Sequence, residues 1–358
     1  MMNRRSWTRA MLAAVAFCTA TTTARAADAP AAQPHDFVAR DFRFHTGEVL
    51  PEVRIHYVTI GAPTGEPVLV LHGTAQSSAA MLTPVFAGEL FGPGQPLDAS
   101  RYYVIIPDGL GTGRSSKPSD GLGPRFPHYD YDDMVEAQWR LVTEGLQLRR
   151  LRLVIGNSMG GMHTWLWGVR HPGFADALVP MACQPTAMSG RNWMLRRLLV
   201  ETIRRDPAYR DGQYTTQPPS LRTANVFFGL ATSGGTQALY AAAPTRAQAD
   251  RFVDDRLAAR APADANDFVH QWDASADYDP APLLERIDAA VLAINSADDE
   301  RNPPELGIME RELARVRGAR LFLIPTGPDT RGHATTAFAR LWKDRLAELL
   351  ASVPRRTP

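Results

Sequence analysis

Three polar residues of this chain have the side-chain types that nucleophilic catalysis requires, and each one follows a short apolar run. Ser158 lies in the middle of residues 156–160, which read G-N-S-M-G and match the pattern G-x-S-x-G. Asp299 and His333 come later, so the order is Ser, Asp, His. A serine hydroxyl is a weak nucleophile at neutral pH, so a histidine must accept its proton and a carboxylate must orient that histidine. The residue types and their order therefore predict a Ser-His-Asp relay that acts on an acyl carbon.

The local sequence around Ser158 predicts a sharp turn between a strand and a helix. The apolar run 153–155 comes before it, and a helical pattern follows until the H-P-G of residues 171–173. The flanking glycines allow backbone to approach where a Cβ would clash. A Gly-Ser turn in a solvated loop is the alternative explanation of the motif, and the strand and helix on its two sides argue against it. We therefore expect Ser158 Oγ to project above the sheet, with the N–H of Met159 as an oxyanion donor at the helix N-terminus.

The acid and the base are each chosen from a few candidates. Asp298 and Asp299 both follow the apolar run 291–294, and we expect Asp299 to be the acid because prolines close the turn a few residues later. Asp298 is then a turn residue that caps its own backbone. His333 follows a glycine in the loop after the last apolar run, where its ring can reach the serine; a histidine exposed in a surface loop is the alternative.

A second oxyanion donor is expected where the first central strand ends. Residues 67–71 form a continuous apolar run, which is typical of a strand covered on both faces. His72, Gly73 and Thr74 follow this run. The backbone N–H of Thr74 lies where hydrolases with the G-x-S-x-G turn supply the second donor. We expect His72 to be a structural hydrogen-bonding residue rather than the base.

The elements that carry these residues alternate between apolar runs and helical patterns. Alternation at residues 37–44 and 53–60 predicts an antiparallel hairpin at a sheet edge. Further strands are predicted at residues 67–71, 102–106, 153–155, 177–181, 291–294 and 320–324. Helical segments between and after them are predicted at residues 79–91, 134–146, 305–316 and 335–351. This order predicts an α/β fold with a mostly parallel central sheet, helices on both faces and ligands at the carboxyl ends of the strands.

The strand-helix order is interrupted between residues 184 and 275. This segment has helical stretches at 193–203 and 245–259 and little strand pattern, which predicts an inserted helical cap. Paired arginines at 196–197 and 204–205 are spaced to share one helix face, which suits either a solvated surface or a site for the anionic coenzyme A. The predicted domains are residues 1–26 (signal peptide), 27–183 (first part of the core), 184–275 (cap) and 276–358 (second part of the core).

Residues 1–26 have the features of a secretory signal peptide. Arginines precede a weakly apolar run at 11–20, and the A-R-A of residues 24–26 is a cleavage site of the A-x-A type. Arg4 and Arg5 also loosely fit a twin-arginine signal, with Sec export as the alternative and a basic tail on a cytosolic protein as the other explanation. We predict cleavage after Ala26 and a periplasmic or secreted protein with no stable membrane anchor after cleavage.

Composition argues against several classes of partner. Loss of residues 1–26 would remove four of the 39 basic residues and leave 35, against 38 acidic residues, which gives a net charge near −3. That balance does not indicate binding to nucleic acid or to an anionic membrane surface. Cys183 would then be the only cysteine, so a monomer can have no internal disulfide.

No cofactor and no metal site are predicted. Glycines 109, 111 and 113 follow a predicted strand, but position 116 is serine and the lysine of a P-loop is missing, so the loop does not match a nucleotide-binding pattern. The carboxylates at positions 130, 132 and 133 precede a helical pattern, where acidic residues suit the helix dipole. Because no histidine or cysteine set accompanies them in the sequence, a capped helix explains them better than a metal does.

The chain resembles the homoserine O-acetyltransferase-like branch of the α/β-hydrolase family. The segments that carry the resemblance are residues 126–138, 156–162 with its Gly-Gly-Met, and 299–304 with its D-x-x-x-P-P spacing. The resemblance covers about residues 68–182 and 290–337. It implies the α/β-hydrolase fold and an acyl-enzyme chemistry at Ser158. Family members usually have Gly-His-Asp in the histidine loop, whereas Ala334 follows His333 here.

These observations predict an exported serine hydrolase of the α/β-hydrolase fold that cleaves a carboxylic ester or a related acyl compound. Ser158 would attack, His333 would transfer the proton, Asp299 would orient His333, and the N–H groups of Thr74 and Met159 would hold the oxyanion. The expected partner is a small-molecule acyl substrate, without a cofactor.

Two alternatives are open. The first is a homoserine O-acetyltransferase-like acyltransferase with the same residues and another acceptor. The second is a binding protein on the same fold, which would be expected to lack one of the three relay residues.

Overall fold

The core of the molecule is one eight-stranded sheet in which most strands run parallel. The computed structural model describes residues 31–259 and 263–354, so the predicted signal peptide lies outside the described residues. The strands are Gln33–Arg43 (β1), Val49–Ile60 (β2), Glu66–Leu71 (β3), Tyr102–Pro107 (β4), Leu151–Asn157 (β5), Ala175–Met181 (β6), Ala290–Ser296 (β7) and Arg320–Ile324 (β8). Their order across the sheet is β1-β2-β4-β3-β5-β6-β7-β8.

The first two strands form the antiparallel hairpin that the alternating pattern predicts, and they lie at one edge of the sheet. Strand β2 also pairs antiparallel with β4. All the remaining neighbours, from β4 through β3 and β5 to β8, pair in parallel. The carboxyl ends of six strands therefore meet along one rim of the sheet, which is where ligands bind in such folds.

Helices cover the sheet on both faces, and a further group of helices forms the region between β6 and β7. In chain order, the helices are Ala87–Leu90 (α1), Tyr131–Arg140 (α2), Met159–Arg170 (α3), Gly190–Arg204 (α4), Ser220–Thr232 (α5), Thr236–Ala242 (α6), Arg246–Ala258 (α7), Ala265–Asp273 (α8), Ile308–Leu313 (α9) and Lys343–Ser352 (α10). Successive residues of β3 contribute to different cores, because side chains alternate along a strand. Leu69 packs with Trp165 of α3 on one face, and Val68 packs with Phe86 and Leu346 on the other. The predicted α/β class is confirmed.

Three predicted helices are shorter in the structure than in the sequence pattern. The segment 305–316 corresponds to the 3₁₀ turn Pro304–Leu306 and the short helix α9. The segment 79–91 consists of a 3₁₀ turn, Ser78–Leu82, and the short helix α1. The C-terminal helix α10 begins only at Lys343, and the preceding segment forms the 3₁₀ turns Gly332–Ala337 and Ala339–Leu341. His333 is therefore placed by a tight turn that hydrogen bonds to other loops hold in position, which helical periodicity does not reveal.

Helices α4 to α8 lie between β6 and β7 in the chain and have an apolar cluster of their own. Leu199, Phe228, Phe268 and Trp272 are among its buried members. The predicted cap, 184–275, covers this helical region, and its boundaries stay a prediction. Among the residues that the structure describes, no helix is both long enough and apolar enough to cross a membrane.

Candidate active site

Ser158 is the single residue that connects strand β5 to helix α3, and its backbone has a conformation that L-residues rarely adopt. Its φ is 56° and its ψ is −113°. Such a conformation costs on the order of 1–3 kcal/mol and persists only where the surroundings enforce it. Two hydrogen bonds do so here, since Ser158 N donates to Met181 O at 2.8 Å and Ser158 O accepts from Met162 N at 2.9 Å. The strained turn projects the hydroxyl from the rim of the sheet.

The glycines around Ser158 are required by close backbone packing. A Cβ on Gly156 would lie 2.1 Å from Gly160 O, and a Cβ on Gly160 would lie 2.3 Å from Leu71 O. No side chain fits at either position, so helix α3 can begin directly against strands β5 and β3. The two glycines of the G-x-S-x-G pattern are thus required by backbone packing, and the serine is the predicted nucleophile.

The structure brings Ser158, His333 and Asp299 together in one hydrogen-bonded chain. His333 Nε2 lies 2.9 Å from Ser158 Oγ, and His333 Nδ1 lies 2.9 Å from Asp299 Oδ2. The three residues come from the ends of β5 and β7 and from the turn after β8. This is the geometry in which a histidine can take the serine proton while a carboxylate holds the ring in one tautomer.

The carboxylate of Asp299 is buried and held by donors other than His333. Asn302 Nδ2 donates to its Oδ2 at 2.9 Å, and Arg301 N donates to its Oδ1 at 2.9 Å. Burial by itself would raise the pKa of Asp299, but the charge and hydrogen bond of His333 and these donors outweigh it and lower the pKa. Asp299 is therefore ionised at neutral pH. Asn302, which also donates to Ala182 O at 3.0 Å, is a positioning residue that sequence patterns did not single out.

His333 is neutral at neutral pH, as a general base must be. Burial lowers its pKa below the ordinary histidine value, and the nearby cations Arg301 and Arg196 lower it further, against the opposing effect of Asp299. A neutral ring whose Nδ1 donates to Asp299 presents a free lone pair on Nε2 toward Ser158.

Asp298 has a different role from the one expected. It does not cap its own backbone; its Oδ2 accepts from Thr330 Oγ1 at 2.7 Å and from Gly332 N at 3.1 Å. Its Oδ1 accepts from Ser296 Oγ at 2.5 Å. The expectation was wrong because these donors are more than thirty positions away in the chain, except for Ser296. Asp298 thus ties the histidine loop to the end of β7, while Asp299 contacts the histidine itself.

The two predicted oxyanion donors belong to backbone segments next to Ser158. Met159 is the first residue of α3, and Thr74 lies in a turn closed by Gln76 N donating to Gly73 O at 3.2 Å. A Cβ on Gly73 would lie 3.6 Å from Ser158 Cβ, so this turn passes beside the serine. Within the described part of the chain, neither the Thr74 N–H nor the Met159 N–H has a hydrogen-bond partner. Both donors are available to a ligand oxygen.

His72 has the structural role that its position suggests. Its Nδ1 lies 2.8 Å from Gly73 O, and its Nε2 accepts from Gly109 N at 2.8 Å. Burial lowers its pKa, so the ring is neutral. It connects the turn that carries Thr74 to the loop after β4.

Ser158 and His333 face a cavity of about 580 Å³ beneath helix α4. Its lining includes Arg191 and Arg196 of α4 and Arg301 of the loop after β7, none of which the sequence placed among the catalytic-site residues. Burial and the neighbouring Arg196 lower the pKa of Arg301 to about 9, so its guanidinium remains cationic at neutral pH. Spacing alone could not place them at the site, because basic residues on an amphipathic helix or in a loop are normally solvated.

The paired arginines of α4 do not share one face, contrary to expectation. Arg196 is 1 % exposed and points into the cavity, whereas the side chains of Arg197 and Arg205 are mostly exposed and bond the carboxylate of Glu201. Arg204 pairs with Asp273 at 2.8 Å. The surface arginines are thus compensated by carboxylates, which favours a solvated helix surface over a coenzyme A patch.

One group of side chains has the composition of a metal site. Donor atoms of His45, Asp130 and Asp133 lie within 4.8 Å of one another. The same groups bond one another, since His45 Nδ1 lies 2.6 Å from Asp133 Oδ2 and Asp133 N donates to Asp130 Oδ1 at 2.8 Å. Asp130 and Asp133 form the capping box of α2. Asp130 and Asp133 therefore have the helix-cap role that the sequence predicts, whereas Asp132 pairs with Arg170 at 2.5 Å.

The chain is similar to enzymes of both acyl transfer and ester hydrolysis. The family model described as "alpha/beta hydrolase fold" matches residues 66–327. A homoserine O-acetyltransferase from Solidesulfovibrio magneticus is 32 % identical over 278 residues, which cover 72 % of this chain and 68 % of that protein. An ethyl acetate hydrolase from Pseudomonas veronii is 33 % identical over 175 residues, covering 47 % of this chain and 48 % of that protein.

A solved structure shares the same fold. The crystal structure of homoserine O-acetyltransferase from Bacillus anthracis superposes with a TM-score of 0.79 at 21 % identity, covering 91 % of this chain and 99 % of that one. The chain spans about half the length of several other homoserine O-acetyltransferases that it matches. These similarities confirm the resemblance that the motifs indicate.

Proposed function

The chain belongs to the alpha/beta hydrolase fold family, in its homoserine O-acetyltransferase-like branch, and from that premise we propose that it is an exported serine hydrolase of carboxylic esters. The observation that carries the proposal is the unbroken relay from Asp299 through His333 to Ser158, at the wall of a cavity of a size that suits a small ligand.

The proposed reaction proceeds through an acyl-enzyme. Ser158 Oγ forms a bond to the ester carbonyl carbon while His333 Nε2 takes its proton, and the Thr74 and Met159 N–H groups stabilise the oxyanion. The intermediate collapses, the ester C–O bond breaks, and His333 returns the proton to the leaving alcohol. Water then attacks the acyl carbon with His333 again as the base, the bond from that carbon to Ser158 Oγ breaks, and His333 returns the proton to Ser158 Oγ. One ester and one water give one acid and one alcohol.

The test of this proposal uses the mature protein and a series of acyl esters of graded chain length. We expect hydrolysis of short acyl esters without any acceptor, and covalent labelling of Ser158 by a fluorophosphonate probe. Ser158→Ala provides the control. Probe labelling that persists in this variant would remove Ser158 from the proposed role, and absence of hydrolysis across the series would remove the hydrolase function.

The alternative is an acyltransferase that uses the same residues, and the 32 % identity with a homoserine O-acetyltransferase favours it. The first half-reaction is the same, and only the acceptor differs, because an acyl-enzyme reacts with whichever nucleophile is positioned against it. Acetyl-CoA consumption is measured with and without homoserine. Rapid consumption that requires homoserine, together with negligible ester hydrolysis, would establish the transferase; equal rates in both arms support the hydrolase.

Export is the second part of the proposal, and it rests on residues 1–26 alone. A reporter fused to this segment is expected in the periplasm or medium, with the mature N-terminus at Ala27. Joint replacement of Arg4 and Arg5 by lysine separates the routes, since twin-arginine export would stop and Sec export would continue. An uncleaved native precursor retained in the cytosol would contradict export.

A further inference from the structure

Arg196 is a buried cation that no carboxylate neutralises. Its side chain is 1 % exposed, its Nε donates to Asn192 Oδ1 at 3.1 Å and its Nη1 donates to Ser275 Oγ at 3.2 Å. The guanidinium carbon lies 4.9 Å from the centre of the Trp272 ring. Within residues 31–259 and 263–354, Arg196 forms no ion pair. Neutral partners satisfy two of its nitrogens and leave its charge uncompensated.

Arg301 is a second cation on the same aromatic group, and it is partly buried. Its Nε donates to Thr232 Oγ1 at 3.0 Å, and its guanidinium carbon lies 4.8 Å from the Phe228 ring centre and 5.9 Å from that of Trp272. Neither terminal nitrogen has a hydrogen-bond partner among the described residues. Both guanidinium carbons therefore lie no more than 5.9 Å from the Trp272 ring centre, and both residues line the same cavity.

The other charged groups of the cavity wall are not ion-pair partners of these two arginines. Arg191 and Glu300 pair with each other at 2.5 Å. The Asp299 carboxylate raises the pKa of Arg301, but its oxygens accept from His333, Asn302 Nδ2 and Arg301 N, and Glu305 is exposed. Within the described residues, neither guanidinium group has a carboxylate at ion-pair distance. Burial of an unpaired cation is unfavourable, and aromatic rings offset it only partly.

We propose that Arg196 and Arg301 form a subsite for a carboxylate group of the substrate. The enzyme would then act on esters that carry a free carboxylate, either in the acyl part, as in a half-ester of a dicarboxylic acid, or in the alcohol part, as in an ester of a hydroxy acid. A guanidinium presents a planar fork of donors that matches a carboxylate, and an anion between the two arginines relieves their mutual repulsion. This inference rests on the proposed esterase function, and the reaction at Ser158 is unchanged.

The experiment compares each carboxylate substrate with its neutral amide. Monoethyl succinate against ethyl succinamate tests the acyl part, and acetoxyacetate against acetoxyacetamide tests the alcohol part. We expect kcat/KM to favour the carboxylate by about tenfold or more in one of the two pairs, since the pairs differ only in a charge-assisted contact. The pair that shows the preference identifies which part of the substrate lies on the subsite.

Variants assign the preference to the arginines. Arg196→Gln and Arg301→Gln are each expected to lower the carboxylate-to-amide ratio by about tenfold. Arg197→Gln is the matched control, because Arg197 is the next residue of α4 and its side chain is 58 % exposed and pairs with Glu201. This variant should retain the carboxylate-to-amide ratio of the wild type. A wild-type ratio near one in both pairs would overturn the proposal, as would a ratio that survives in a folded Arg196→Gln protein.

A binding measurement tests the carboxylate subsite without turnover and without the arginine variants, whose folding could be impaired. Calorimetry on Ser158→Ala is expected to detect succinate binding, with succinamide binding at least about tenfold more weakly. Equal binding of the two, or binding of inorganic phosphate as tight as that of succinate, would contradict a carboxylate subsite. If none of the four esters is hydrolysed but succinate still binds selectively, the esterase function fails and the subsite stands.

Discussion

The rim of the sheet and the side formed by helices α4 to α8 differ in the partners that surround their buried charged groups. At the rim, Asp299 accepts three kinds of donor and its negative charge faces His333. On the helical side, the guanidinium groups of Arg196 of α4 and of Arg301, which comes from the loop after β7 but packs on Phe228 and Trp272, are held by neutral side chains and aromatic rings. Within the described residues, neither group forms an ion pair. The three relay side chains of the rim have hydrogen-bond partners before a ligand arrives, whereas the two guanidinium groups have no anionic partner. We propose that the rim performs the reaction and that the two arginines select which ester is bound.

The largest expected effect tests the rim. Ser158→Ala should lower kcat by about 10⁴ to 10⁶-fold, because the nucleophile is lost while the oxyanion donors remain. The measurement is hydrolysis of a neutral short-chain ester, with the melting temperature as the control for folding. A loss of less than about tenfold would mean that the rim is not the site of chemistry.

The next prediction separates the two neighbouring aspartates. Asp299→Asn should cost on the order of 10³ to 10⁴-fold in kcat, because His333 loses the carboxylate that selects its tautomer. Asp298→Asn keeps its Oδ1 acceptor and should cost far less, acting through the position of the histidine loop. If the two effects are reversed in kcat measurements at matched pH, Asp298 is the acid.

The pH profile connects the two regions. Only neutral His333 accepts a proton, so kcat/KM should fall as pH decreases through its pKa. Because burial and the two arginines hold that pKa low, the acid limb should lie below about pH 6.5, the ordinary histidine value. Arg301→Gln removes one of these cations and should raise the pKa, which moves the limb to higher pH. A limb that does not move in this direction would show that the helical side has no electrostatic effect on the rim.

The smallest expected effect concerns the packing of the helical side. Phe228 contacts Trp272 edge to face at 4.5 Å between ring centres and lies under Arg301. Phe228→Leu should destabilise the protein by less than about 1.5 kcal/mol and change kcat/KM for neutral esters only a few-fold. Thermal unfolding and neutral-ester kinetics provide the measurement. A loss of activity as large as that of Asp299→Asn would contradict the proposal that the rim performs the reaction and the helical side only selects the ester.

The sequence by itself predicted the α/β sheet, the hairpin at its edge and the identity of the three relay residues. It could do so because buried parallel strands are continuous apolar runs and because the turn at Ser158 tolerates only glycine at 156 and 160. The structure places Ser158, His333 and Asp299 within hydrogen-bonding distance, and their catalytic role stays a prediction.

Only the tertiary structure decided what Asp298, Asn302, Arg196 and Arg301 contact. Asp298 binds a loop that follows it by more than thirty residues, and Arg196 is buried against Trp272, which lies far along the chain. Local sequence patterns indicate the backbone conformation and the burial of residues within one or two helical turns. They carry no information about which distant side chain pairs with a charged group. Neighbouring positions on one helix, 196 and 197, therefore look alike in the sequence and have opposite environments in the fold.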